Sequence, residues 1–261
     1  MPSHYAHYRF GAMAISAMPP DIRRRVQRFR QLYDVGLHGP DIFFYNNIFL
    51  KDSTENPAKK YHRQTGEEFF TRVCKRIRLE PSEGAMAYLY GVLAHYCLDA
   101  ACHPYIRAVT EDGSIGHVEI ETEFDRYLLN LDGKRPANTF DCSPHMKLTR
   151  GECVTVADFY PDATPATVNR SVRNMAACVK FLASPAGFRR NLMQGAISLT
   201  GDTFSQHVMS RSPNKKCAHL DADLQALFDQ ALEKYPALLE EITAHMSRNA
   251  PFGDDFKLPF G

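Results

Sequence analysis

The stretch Gly91-Val-Leu-Ala-His95-Tyr-Cys-Leu-Asp99-Ala-Ala-Cys-His103-Pro104 decides how the chain is read. Three metal-binding side chains recur in it at every fourth position. On an α-helix each residue turns the chain by about 100°, so steps of four keep such residues within a stripe about 80° wide. His95, Asp99 and His103 can therefore face one site. Gly91, Val92, Leu93, Ala94, Leu98, Ala100 and Ala101 make the helix apolar almost all round, which predicts burial rather than a solvated polar face. Imidazole and carboxylate are donors suited to zinc, and a carboxylate between two imidazoles can ligate, bridge two ions or orient a neighbouring ligand. The alternatives are buried, hydrogen-bonded histidines or a surface stripe.

Working outward, Pro81-Ser82-Glu83 supplies a start signal for this helix, and Pro104 is expected to end it. A preceding helix is predicted from about Thr65 to Leu79, carrying Phe69, Phe70 and Val73. The run from His117 to Leu131 begins another, with Phe124, Tyr127, Leu128 and Leu131 on its apolar face. Near the amino terminus, Phe10, Met13, Ala14 and Ala17 recur at helical steps until Pro19-Pro20 stops them. Asp21 to Val35 then reads as one amphipathic helix whose arginines are solvated. Gly36-Leu-His38-Gly-Pro40 is a turn, and Asp41 follows where a short side chain can cap a helix through Ile42 to Phe49.

Lys51 to Lys60 reads as a loop. Residues 132–164 read as irregular connection with at most short elements, strand-like alternation being confined to scraps such as Val154-Thr-Val156. Helical periodicity returns over Thr164 to Leu182, Phe188 to Thr200 and Leu220 to Met246. The expected fold is all-α, a multi-helix bundle around a polynuclear metal site in one domain spanning residues 1–250, followed by a mostly polar tail over 251–261.

With 31 Lys and Arg against 30 Asp and Glu among 261 residues, the net charge is +1. No bulk attraction to nucleic acid or anionic membrane follows, and no stable nucleic-acid partner is expected. The seven cysteines contain no CxxC pair and read as reduced thiols, which favours the cytoplasm. No secretory leader is evident, and no apolar run approaches the roughly 18 residues that a transmembrane helix needs. The expected localisation is cytoplasmic; oligomeric state is not legible.

Further candidate ligands cluster in the first half of the chain: His7 on the first helix, Asp41, His62 after the loop, and the i, i+4 pair His117 and Glu121. Such a pair can chelate one ion from one helical turn, and His103 from the preceding helix would complete a three-ligand site. His95, Asp41 and His62 can hold a second ion, leaving Asp99 to bridge toward His7. Singly, each has a plainer reading. Asp41 can be a helix cap, His62 an exposed loop residue, His117 with Glu121 a surface pair, and His7 a ring packed on Tyr5 or Tyr8. Their clustering within residues 7–121 is the stronger signal.

His7 before a short apolar helix, Gly39-Pro40-Asp41 followed by aromatics, His62, His95-x3-Asp99, His103 and His117-x3-Glu121 together resemble the zinc-dependent phospholipase C family, which is related to the single-strand-specific zinc nucleases. The resemblance covers roughly residues 1 to 130. It implies an all-helical fold, phosphoester hydrolysis and two to three zinc ions. Carried over, Asp41, His62, His95 and Asp99 serve one ion with Asp99 bridging, and His103, His117 and Glu121 serve a second. His7 and Asp99 contribute to a third, which in the secreted enzymes is completed by a terminal Trp. This sequence has no Trp, so Pro2 or His4 would have to stand in.

Zinc at the focus of these helices would lower the pKa of a bound water toward about 7 and supply hydroxide for in-line attack at phosphorus. Asp41 is the candidate catalytic group, orienting or deprotonating that water. The substrate is expected to be a small-molecule or lipid phosphoester. Phe43, Phe44, Tyr45, Phe69 and Phe70 either wall a pocket for an apolar or quaternary-ammonium group or belong to the core. A non-catalytic helical zinc-binding protein and a single-strand nuclease are the competing readings.

Overall fold

The computed structural model describes residues 4–46, 57–183 and 206–261. Its helices are α1 (His4–Ala17), α2 (Pro20–Arg28), α3 (Arg30–Gly36), α4 (Pro57–His62), α5 (Gly66–Leu79), α6 (Glu83–Thr110), α7 (His117–Leu131), α8 (Arg150–Ala157), α9 (Pro165–Leu182) and α10 (Asp221–Arg248), with a 3₁₀ helix over Gly39–Tyr45. The fold is all-α; among the described residues the only β pairing is an isolated bridge between Thr65 and Pro259.

The opening stretch lies in α6, and α1, α2, α3, α5, α7, α8 and α10 all pack against it. Ser82 starts α6 by accepting the backbone N–H of Ala85 at 3.2 Å, and almost every side chain from Gly84 to Asp99 is buried. Where α3 crosses it, a Cβ on Gly91 would stand 2.3 Å from the Tyr33 carbonyl oxygen, and one on Gly36 would stand 2.6 Å from that of Tyr88. Glycine at both positions allows this backbone-to-backbone approach. It brings the residues that follow α3 close to His95.

Several expectations are corrected. The helix expected over Asp21 to Val35 is interrupted at Phe29, whose φ of −113° and ψ of 44° leave the helical region, and the break re-aims Leu32, Tyr33 and Val35 into the core. Helix α6 does not stop at Pro104 but runs to Thr110. A proline inside a helix costs about 3 kcal/mol; burial of Cys102, His103 and Ile106 on the same turns offsets it. Val154 and Val156 lie in α8, started by a reciprocal capping pair in which Thr149 accepts from the Glu152 backbone and Glu152 from that of Thr149. The loop expected over Lys51 to Lys60 gives way to α4 at Pro57, where Ala58 and Tyr61 are buried. Residues 51–56 of that loop, and the helix expected over Phe188 to Thr200, lie outside the described residues.

Residues 251–261, expected as a mostly polar tail, pack against the bundle through three aromatic side chains. Phe252, Phe256 and Phe260 are buried, and the segment is bound along α5 and α6. The Tyr96 hydroxyl donates to the carbonyls of Asp255 and Leu258 at 2.6 and 3.0 Å, and Gly66 N–H donates to Leu258 O at 2.9 Å. The phenylalanines recur at every fourth position, an apolar spacing masked by the charged residues between them.

Candidate metal centre

The donors are delivered by α1, the 3₁₀ helix, α4, α6 and α7. His7 lies near the start of α1, whose amino-terminal N–H groups at Tyr5 and Ala6 donate to the Asp125 carboxylate at 3.0 and 2.7 Å. Asp41 sits in the 3₁₀ helix that begins at Gly39, where φ is +47° and a Cβ would meet His95 Cδ2 at 2.4 Å. Any other residue there would be strained and would strike the ring. His62 ends α4 and donates its Nδ1–H to the Ala58 carbonyl at 2.7 Å, which fixes the tautomer and turns Nε2 inward. A metal-binding histidine is oriented in the same way by its second nitrogen. His95, Asp99 and His103 come from successive turns of α6, His117 and Glu121 from the first turns of α7.

All of these side chains form one connected cluster. His62 Nε2 lies 2.8 Å from Asp41 Oδ1, and His95 Nδ1 lies 3.8 Å from Asp41 Oδ2. Asp99 is met by His7 Nε2 at 3.1 Å, His95 Nε2 at 3.1 Å and His103 Nε2 at 3.6 Å. Glu121 Oε1 lies 3.4 Å from His103 Nε2 and 2.9 Å from His117 Nε2. Two sets of donors converge within 4.8 Å of one another: His7, Asp41, His95 and Asp99 form one, and His103, His117 and Glu121 the other. His62 stands beside the first set through Asp41. His7, which the resemblance pairs with Asp99 at a third ion, lies in one set with Asp99, Asp41 and His95.

Asp41 is fully buried, and no side-chain cap bond is made at this helix start, so the capping reading fails. Both its carboxylate oxygens, both ring nitrogens of His95 and of His103, and one oxygen each of Asp99 and Glu121 have no hydrogen-bond partner. Orphaned buried polar atoms cost about 1–3 kcal/mol each, more when charged. At these atoms, though not between His117 and Glu121, where a 2.9 Å hydrogen bond is made, the close contacts lack hydrogen-bond geometry, as those of ligand atoms aimed at a shared cation do.

The electrostatics agree. Burial works against ionisation of Asp99, yet the rings of His103, His95 and His7 hold its carboxyl well below the usual range. Burial likewise opposes Glu121, but the imidazoles of His103 and His117 beside it outweigh the burial and lower its pKa. His62 is pushed up to about 9 because Asp41 overcomes the burial penalty, and His7 and His103 are raised for the same reason by Asp99. Buried carboxylates this close together demand positive charge.

His117 and His62 have side chains 35% and 12% exposed, so the cluster reaches solvent at their ends. Phe44, half-buried, sets its ring 5.6 Å from that of His62. Phe43, Tyr45, Phe69 and Phe70 are core residues and leave Phe44 at the rim. A cleft of 630 Å³ is lined by Gly116, Glu119, Thr122, Glu123 and Asn214; Glu119 and Glu123 lie about 160° from Glu121 around the helix, and none of the proposed ligands lines it. His4, considered as a stand-in ligand, has its Nε2 2.7 Å from the Tyr45 hydroxyl. Pro2 lies outside the described residues.

Sequence reasoning missed Asp125, the Ala58 tether on His62 and the approach of Gly261 to His103. Asp125 had a signal: it follows Glu121 by one helical turn.

The structure defines, as a class, a helical protein with two adjoining sets of mostly buried imidazole and carboxylate donors that could hold metal, a donor set suited to zinc. The family model described as zinc dependent phospholipase C matches residues 6–163, and the chain belongs to that family. No curated protein and no solved structure matches it. Membership and the donor sets support a zinc phosphoesterase in general, and among the described residues no helix is long and apolar enough to cross a membrane.

Proposed function

We propose that the protein hydrolyses a phosphodiester or phosphomonoester, using two to three zinc ions held by His7, Asp41, His62, His95, Asp99, His103, His117 and Glu121. The observation that carries the reading is Asp99, a buried carboxylate whose two oxygens are approached by imidazoles of both donor sets. Contact with both sets supports a shared role for Asp99.

Bound zinc would supply a water acidified toward neutral pH and a Lewis acid for the phosphoryl oxygens. The chain supplies the rest. Asp41 is the catalytic candidate, because its oxygens lie inside the cluster without hydrogen-bond partners and can orient the water or accept its proton. His62, fixed by Ala58, holds Asp41 in that position. The buried rings of Phe43 and Tyr160 behind Asp41 exclude bulk water, which strengthens every charge interaction in the site. Substrate reaches the cluster past His117 and His62, where Phe44 offers an apolar surface to a small-molecule or lipid phosphoester.

The test is zinc analysis of the purified protein, followed by hydrolysis of chromogenic phosphomonoesters and phosphodiesters and of phospholipid, with and without EDTA. Stoichiometric zinc and EDTA-sensitive turnover are expected. Stoichiometric zinc with no such turnover on any ester would instead assign a non-catalytic zinc-binding protein.

A further inference from the structure

The segment 258–261 runs along the edge of the donor cluster. Phe260 N–H donates to Gln64 O at 3.2 Å, and Gly261 N–H donates to His62 O at 3.1 Å. The Phe260 ring is fully buried, 4.9 Å from the rings of Phe69 and Tyr96 and 6.2 Å from that of His95 at 32°. These contacts pin Gly261 between two donors belonging to different parts of the centre. A Cβ on Gly261 would stand 2.3 Å from His103 Nδ1 and 3.0 Å from His62 Cδ2. His103 Nδ1 itself is buried with no hydrogen-bond partner, so close packing by the Gly261 backbone is what limits rotation of this ring on that side.

We propose that Gly261 is a positioning residue for His62 and His103, with Phe260 as its anchor. The inference rests on the zinc reading above. Through its N–H, Gly261 fixes the main chain of His62. By filling the space between the two rings with backbone alone, it sets how far each can turn toward the other. Groups that orient metal ligands typically affect affinity by 10- to 100-fold when altered, so a side chain at position 261 acts on zinc although Gly261 is not counted among the ligands.

Zinc affinity by competition with a chromophoric chelator, and the visible absorption of the cobalt-substituted protein, test this in Gly261→Val, Gly261→Ala and Lys257→Ala. Lys257 is exposed on the same segment and pairs locally, with Asp254 at 2.6 Å. Gly261→Val should weaken zinc binding by roughly 10- to 100-fold and change the cobalt spectrum, Gly261→Ala should do both to a lesser degree, and Lys257→Ala should do neither. If Gly261→Val does not fold, Gly261→Ala decides on the same two readouts. Wild-type affinity and spectrum in the Gly261 variants overturn the proposal, as does an equal change in Lys257→Ala. A wild-type protein that binds no zinc overturns the parent reading and this one with it, and is told apart because the failure then appears before any substitution.

Discussion

Asp125 accepts the backbone N–H of Ala6 at 2.7 Å, and one turn earlier on the same helix stands Glu121. Helix α7 therefore contributes one carboxylate to the donor cluster and uses the next to hold the start of α1, whose His7 reaches Asp99 on α6. A donor from the beginning of the chain is thus held by a residue far along it.

Removal of this cap gives the first prediction. Asp125→Ala should cost about 0.5–2 kcal/mol, the usual range for a helix cap, and should lower zinc occupancy as His7 loses its support. Urea unfolding of the metal-free protein gives the first quantity and metal analysis the second. Unchanged occupancy alongside the stability loss would separate the cap from the metal centre.

The shared position of Asp99 gives the second. Asp99→Asn should reduce zinc per chain and abolish most EDTA-sensitive hydrolysis, whereas Glu111→Gln, at an exposed position after α6, should change neither. Metal counts by plasma emission on both variants check this, and equal counts would remove Asp99 from the ligand set.

Metal removal is the third. A cation satisfying Asp41, Asp99 and Glu121 is bound only by the folded state, and ligand at 100 times its Kd stabilises by about 2.7 kcal/mol. For a chain of this size that corresponds to a fall in Tm of roughly 5–10 °C on EDTA treatment, restored by added zinc. Thermal unfolding with and without chelator measures it. A Tm indifferent to chelator would mean that the cluster folds equally well on its own imidazoles.

A pH effect is expected away from the cluster, at the start of α10. Burial and then the nearby Glu123 raise the Asp221 carboxyl to about 7, with Arg126 opposing. A carboxyl whose folded pKa lies above its unfolded value of about 3.9 favours the folded state when protonated. Its stabilisation is complete below about pH 4 and is lost as pH rises through about 7. After discounting for solvent screening, Asp221→Asn should be more stable than the parent by about 1 kcal/mol at pH 8 and should show less gain at pH 5. Denaturant unfolding at the two pH values checks this; a difference independent of pH would show that Asp221 is ionised throughout.

Much of the architecture is legible in the sequence because it depends on period and punctuation. His95, Asp99 and His103 announce a helix face by spacing alone, and Thr65 and Ser82 mark helix starts by their chemistry. What could not be read depends on who packs against whom. Phe29 carries no breaker signal, yet the core on either side of it requires a bend. Pro104 is a breaker by itself but is overridden by burial of its neighbours. Asp41 after Gly-Pro has the local pattern of a cap, and only the approach of α3 to α6 through Gly36 and Gly91 makes it a buried partner of His62 and His95. Spacing already groups His103, His117 and Glu121, as the structure does, whereas the placing of His7 beside Asp41 needs the bundle.

The bound position of residues 251–261 also bears on the order in which the centre is made. Every proposed ligand has been synthesised once the ribosome passes Glu121, while the Leu258 carbonyl that Tyr96 holds lies 162 positions after that tyrosine. Donors can meet ions well before the wall that includes Phe260 exists. On the proposed ligand assignment, the side of the centre that faces His62 and His103 gains the wall of residues 258–261 only after every ligand has been made.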